Sequence, residues 1–336
     1  MLRITSNAKH VIVGGVEWLL RPFELDPNTH TFPRLVDLIN TLAVALRMIL
    51  GMKVKGKKMP GCPACFIILL LYLVTVQSFV APLETSPEKD WKTVIENAPP
   101  GSKILMRGGI YTGFCNVNVP NNVVLKGESN TTSPVVIDCQ SASRHFTVPS
   151  GSKCHLEDIA LVNGRVNGDG GCILVDGGGA ELSLVRVTLK NCKATGGGGA
   201  ISLVSSTAKI ENSDIIDSEA WEGGGIFADR SLVIVVDTSI TFNTALYMGG
   251  GIRAKQASTL IARGSRTTIS HNIGSGIYFE CSWSHRCTAS LSDGVSISHN
   301  RGILGGVSLG HTEFTADHCI ITNNTAEQGG GFYLVS

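Results

Sequence analysis

Two carboxylates that flank a glycosidic bond can cleave it, one as acid and the other as base or nucleophile, so acids grouped in sequence are the first residues to weigh. Three groups qualify: Asp169 in Asn-Gly-Asp-Gly-Gly, Asp214 with Asp217, and Asp317 beside His318. Each reads first as structure. Asp169 has the surroundings of a turn residue, Asp214 and Asp217 flank Ile215-Ile216, and Asp317-His318 lacks a third partner. The nine histidines show no metal-ligand spacing, so neither a metal nor a cofactor is expected. Cys62-Pro-Ala-Cys65 has redox spacing, but no βαβ pattern surrounds it and an apolar run follows at once.

A different set has a spacing that matters. Phe227, Arg253 and Tyr278 lie 26 and 25 residues apart, and so do Asp229, Lys255 and Glu280. If the chain repeats with that period, the first three form an aromatic-guanidinium stack and the second three an alternating-charge ladder. Such a face would hold an extracellular glycan or a surface protein, the rings supplying flat area and the charges orienting hydroxyls. The alternative is a solvated face whose charges satisfy one another.

The period is real. A glycine-rich turn followed by an apolar anchor occurs seven times, at Ile173, Ile201, Ile226, Ile252, Ile277, Val307 and Phe332, with spacings of 28, 25, 26, 25, 30 and 25 residues. Of 39 glycines, 28 fall between Gly164 and Gly331. An Asn or Asp precedes each later anchor: Asn191, Asp217, Asn243, Asn272, Asn300 and Asn324. Glycine triplets exclude long helices, and runs such as LVIVV at 232 to 236 are short and β-branched. About 26 residues hold three short strands and three turns, and stacked coils about 4.8 Å apart pair as parallel sheets. Positions 0 and +2 from each anchor are expected inside and +1 and +3 outside. The asparagines are expected to stack at one corner, as polar ladders do in stacked sheets.

The apolar-x-x-Asn and Gly-Gly-x-Ile pair, with Gly198-Gly-Ala-Ile201 as its fullest copy, resembles the repeat of chlamydial polymorphic outer membrane proteins over roughly Gly164 to Phe332. That resemblance implies a pectin-lyase-like, right-handed single-stranded parallel β-helix and a role in surface adhesion. Trp91 to Asn163 resembles the opening coils of the same superfamily, with an amphipathic cap helix near 88–97. The polysaccharide hydrolases of that superfamily carry Asn-Thr-Asp, Asp-Asp, Gly-His-Gly and Arg-Ile-Lys elements, and none of these occurs here. A polysaccharide lyase or glycoside hydrolase is therefore the second reading, after a structural, adhesive or binding protein.

Compartment follows from the run Ala64 to Val76, which has no charge and comes just after Lys53, Lys55, Lys57 and Lys58, as in a signal peptide. Val76 and Ser78 suit cleavage after Ser78. Uncleaved, residues 64–81 would be the sole membrane contact, and the lysines would still leave residue 79 onward outside. Residues 1–63 read as an extension, disordered or mispredicted, 64–78 as signal or anchor, and 79–336 as the β-helix, truncated where it stops inside a new coil. Eight cysteines follow the signal; Cys281 and Cys287 enclose a short polar loop and are the expected disulfide, while the other pairings stay open. Sequons at Asn130 and Asn323 fit a secretory route. With 28 Lys+Arg against 27 Asp+Glu the chain is no polybasic nucleic-acid binder.

Overall fold

The computed structural model describes residues 83–128 and 133–335, with short strands at 10–13, 16–19, 53–54 and 57–58. The chain divides into two compact units, 1–80 and 81–336. In the first, His10–Val13 pairs antiparallel with Val16–Leu19, and Lys53–Val54 with Lys57–Lys58. The apolar run at 64–78, Cys62, Cys65 and the sequon at Asn130 lie outside the described residues.

The second unit is an all-β parallel solenoid. Each coil contributes one strand to each of three long sheets, because its short runs, many rich in Val, Ile and Thr, are cut by turn residues at the corners. A ten-stranded sheet runs from Leu83–Thr85 to Thr312–Ala316, and a nine-stranded sheet from Gly109–Tyr111 to Ile320–Thr322. A third, the anchor sheet, has nine strands from Val117–Asn118 to Phe332–Val335. A narrower corner ribbon joins Arg165–Val166, Lys193–Ala194, Glu219–Glu222 and Thr244–Met248.

The anchors stack in register: Ile173 pairs with Ile201, then Ile226, Ile252, Ile277, Val307 and Phe332 in succession. The first six are fully buried, and Phe332 is partly exposed. They meet Leu182, Val233 and Leu260 from the ten-stranded sheet and Leu189, Ile215, Ile240 and Ile269 from the other. Burying one such side chain stabilises by about 1.5–3 kcal/mol. A single coil could not hide its apolar face, so stability accumulates from coil to coil. At the first coils, Asp90 caps the short helix Trp91–Glu96 by accepting from Thr93 N at 3.1 Å. Trp91 and Ile95 of that helix are buried, and the Trp91 ring meets Tyr111 edge-on at 6.1 Å.

One corner carries the polar ladder. Asn243, Asn272, Asn300 and Asn324 form a single column: the backbone N of each donates to the next side-chain Oδ1, at 2.9 Å, 3.0 Å and 2.9 Å. Their Nδ2 atoms donate back to the carbonyls of Ile215, Ile240, Ile269 and Ile297. Asn191 and Asp217 do not belong to this column, contrary to the sequence expectation. They stand one residue earlier, in the left-handed position that they share with Phe242, His271 and His299. Their coils fill the buried column with Cys192 and Ser218 instead. The error arises because two adjacent corner positions both favour Asn, one for its tolerance of φ > 0 and one for its amide.

Among the described residues three disulfides are formed: Cys115–Cys139, Cys172–Cys192 and Cys281–Cys287. Cys154 and Cys319 are free. Among the described residues no helix is long and apolar enough to cross a membrane.

Candidate functional site

The parallel register places Phe227, Arg253 and Tyr278 over one another, and likewise Asp229, Lys255 and Glu280. Both columns lie on the outer side of the anchor sheet, whose inner positions Ile226/Ala228 and Ile252/Ala254 face the core. Arg253, however, is not the solvent-facing group that its position in the strand suggests: it is 1% exposed. The corner ribbon and the glycine turn that follows it fold back over the strand. At Gly249, φ is +73° and a Cβ would stand 2.7 Å from the Arg253 Cβ, so only glycine lets the backbone pass that close.

Residues of that ribbon complete the site. Glu222 lies 3.3 Å from Arg253 Nε and 3.0 Å from Lys255 Nζ. Glu280, from the next coil, pairs with Arg253 through Nη2 and approaches Lys255 Nζ at 3.6 Å. Two cations and two carboxylates thus share contacts crosswise. The Arg253 guanidinium also sits 5.1 Å from the ring centroids of both Tyr247 and Tyr278, and Lys255 Nζ lies 5.6 Å from that of Phe227. Neither Arg253 Nε nor Nη1 has a hydrogen-bond partner among the described residues, so the Glu222 charge and the two π faces are their local compensation. Burial, and then the neighbouring Glu280 carboxylate, push the Tyr278 phenol up, so it stays a neutral hydroxyl at neutral pH.

The outermost part of this array is a pair of rings. Trp221 and Tyr247 lie nearly parallel, 8° apart with centroids at 6.1 Å, and are 51% and 45% exposed. A β-bulge produces the pairing. Glu219–Glu222 aligns with Thr244–Met248 as Ala220↔Ala245 and then Glu222↔Met248, so Leu246 and Tyr247 together oppose Trp221. The extra residue re-aims Tyr247 toward both Trp221 and Arg253. Trp221, Tyr247, Arg253 and Tyr278 follow one another as a continuous aromatic-cation-aromatic series, with Arg253 its most buried member. Sequence reasoning missed Trp221, Glu222 and Tyr247 because they occupy the linker between corner and glycines, where copies differ in length. The available signal was the unusual concentration of large side chains in Ala220-Trp-Glu222 and Leu246-Tyr-Met248.

The remaining candidates are scattered. Asp169 Oδ1 accepts from Gly197 N at 2.6 Å and so holds a turn. Asp214 and Asp217 are exposed, Asp217 lying 3.9 Å from Lys190 Nζ. Asp317 and His318 pair at 2.7 Å on the surface, where the carboxylate raises the imidazole above its ordinary value. Asn323 is exposed in the left-handed corner, 3.4 Å from His299 Nε2. The loop closed by Cys281–Cys287 carries Trp283 at its tip, beside a cleft of about 380 Å³ that His311 and Arg286 also line. Among the described residues no group of three or more His, Cys, Asp or Glu could hold a metal ion.

Residues 171–336 match the family model described as a right handed beta helix region. No curated protein matches the chain.

Proposed function

We propose that this β-helix is an exported, secreted or surface-held protein that binds glycan, with Trp221 and Tyr247 as the contact platform. The observation that carries the reading is the pair of parallel, half-exposed rings, of which Tyr247 is backed by Arg253 and its carboxylates. Rings held in this way lose little conformational freedom on binding, and their apolar faces suit the C–H surface of a pyranose. The sequons, the signal-like run and the three disulfides support a secretory route. Likeness of the repeat to polymorphic outer membrane proteins, and of the fold to the pectin-lyase superfamily, supports an adhesive role on a cell surface or in a matrix.

The experiment is retention of the exported segment on immobilised polysaccharides, with Trp221→Ala and Tyr247→Ala alongside. Expected is retention by the parent and its loss in both variants, with unchanged thermal melting in Trp221→Ala. Equal retention of all three proteins would remove the platform from the reading. Release of reducing or unsaturated ends from the polymer would instead make the protein a carbohydrate-active enzyme. Sequencing of the mature N-terminus tests export separately, with Phe79 expected as the first residue.

A further inference from the structure

The charged groups of the array behind the Tyr247 ring, and their neighbours on the ribbon and the strand row, are paired with groups of opposite sign. Lys193 pairs with Glu219 at 3.0 Å on the ribbon beside Trp221. Arg253 and Lys255 are held between Glu222 and Glu280 beneath Tyr247. Arg230 pairs with Asp229 at 3.1 Å at the end of the same strand row. Four cations therefore meet four carboxylates, and the guanidinium closest to the rings is buried under them. Along the ribbon column that runs Glu219, Thr244, Ile273, Arg301, the Arg301 side chain is exposed with no ion pair among the described residues, two coils beyond Thr244.

From this closure we infer that the platform selects uncharged polysaccharide and disfavours polyuronate. The inference rests on the glycan-binding reading and goes further by naming the class of glycan. A polyuronate brings a carboxylate with every sugar, and each must be desolvated against an array whose own cations, Lys193, Arg253 and Lys255, are already paired. Recruiting Arg253 or Lys255 would strip Glu222 or Glu280 of its partner and leave a carboxylate uncompensated. Bridging through a divalent cation meets the same obstacle, because the local carboxylates are engaged with Arg253 and Lys255. A neutral pyranose makes no such demand. Its C–H face packs on the rings, while its hydroxyls can donate to the carboxylates of Glu219 and Glu280 without breaking their ion pairs, and the Thr244 hydroxyl can accept or donate.

The test uses the exported segment on four insoluble or immobilised polymers, β-glucan, xylan, polygalacturonate and alginate, at low and high ionic strength. Retention on at least one neutral polymer, changing less than about twofold with salt and falling about tenfold in Trp221→Ala, is the expected result. Trp221→Phe should restore most of it. Glu280→Gln opens the charge cluster by one unit and should create salt-sensitive retention on polygalacturonate that the parent lacks. Preferential, salt-sensitive binding of the parent to either uronate polymer would overturn the inference and leave the glycan-binding reading standing. Failure to bind any of the four polymers, with native melting behaviour, would overturn both.

Discussion

The bond between Cys172 and Cys192 stands where the later coils pack a glycine against an asparagine. Register carries Cys172 through Ala200 to Gly225, Gly251 and Gly276, and Cys192 through Ser218 to Asn243, Asn272 and Asn300. A Cβ on Gly251 would come within 3.1 Å of Asn272 Nδ2, and one on Gly276 within 2.8 Å of Asn300 Nδ2. Apart from the coil that carries the small pair Ala200 and Ser218, the corner thus has two solutions: a covalent one, with Cβ atoms on both sides, and a hydrogen-bonded one that needs glycine opposite the amide.

If the two solutions are equivalent, they can be exchanged. Reduction of Cys172–Cys192, which spans 20 residues, should cost about 3 kcal/mol of unfolding free energy. The double variant Cys172→Gly with Cys192→Asn should recover about 1–2 kcal/mol of that, since the new amide can bond to Gly164 N and the Leu161 carbonyl. Urea unfolding of parent, reduced parent and double variant measures it. A double variant no more stable than Cys172→Gly with Cys192→Ala would show that the corner does not accept the ladder.

The ladder itself should be weaker at its last rung than in its middle. Asn272 is fully buried and serves Asn243 N, Ile240 O and Asn300 Oδ1, so Asn272→Ala strands several polar groups at a cost of about 3 kcal/mol. Asn324 is half-buried, and Asn324→Ala should cost about 1 kcal/mol. Equal losses in denaturant titrations would refute a cooperative ladder.

Arg253 should depend strongly on its carboxylates. Glu222→Ala leaves a buried guanidinium with one acidic partner and should destabilise by about 2–3 kcal/mol, while Arg253→Met, which removes the buried charge, should cost less. A double-mutant cycle on Glu222 and Arg253 is expected to give coupling above about 1 kcal/mol. Additive effects would mean that the pair contributes packing alone.

Acid should weaken the fold through His145. Its imidazole is fully buried with Nε2 2.9 Å from the Ile137 carbonyl, and desolvation holds its pKa down at about 4. The unfolded chain binds this proton near 6.5 and the folded chain does not, so stability falls as pH drops from about 6.5 to about 4 and levels below that. The loss is about 3 kcal/mol. Glu157 and Asp158, lowered chiefly by hydrogen bonds from Lys126 and Arg186, give up their contributions at still lower pH. Unfolding free energies at pH 7 and 4.5 should converge in His145→Gln; an unchanged slope would place the acid sensitivity elsewhere.

Secretory expression tests the exposed corner. Asn323 and Thr325 face solvent while Asn324 between them joins the ladder, so a glycan at Asn323 would not disturb the core. Mass spectrometry before and after enzymatic deglycosylation should show occupancy that Asn323→Gln abolishes. An unmodified Asn323 in secreted protein would remove this support for the secretory route.

The coil was legible in the sequence because burial imposes one rule at every turn: an apolar side chain at a fixed offset from a glycine corner, as at Ile226, Ile252 and Ile277. That rule is local and repeats, so period alone gives register. The placement of Asn191 and Asp217 was not legible, since two neighbouring corner positions accept the same residue types for different reasons. Nor was the burial of Arg253, because strand alternation tells inner from outer but not whether another segment lies over the outer side. The pairing of Trp221 with Tyr247 depends on a single bulge residue in the ribbon, and Tyr247 then meets a guanidinium from a different strand. Composition and periodicity thus determine the stack of coils, whereas the site arises from how irregular linkers fold across it. Linker geometry answers to contacts between coils, and those exist only once the chain has closed.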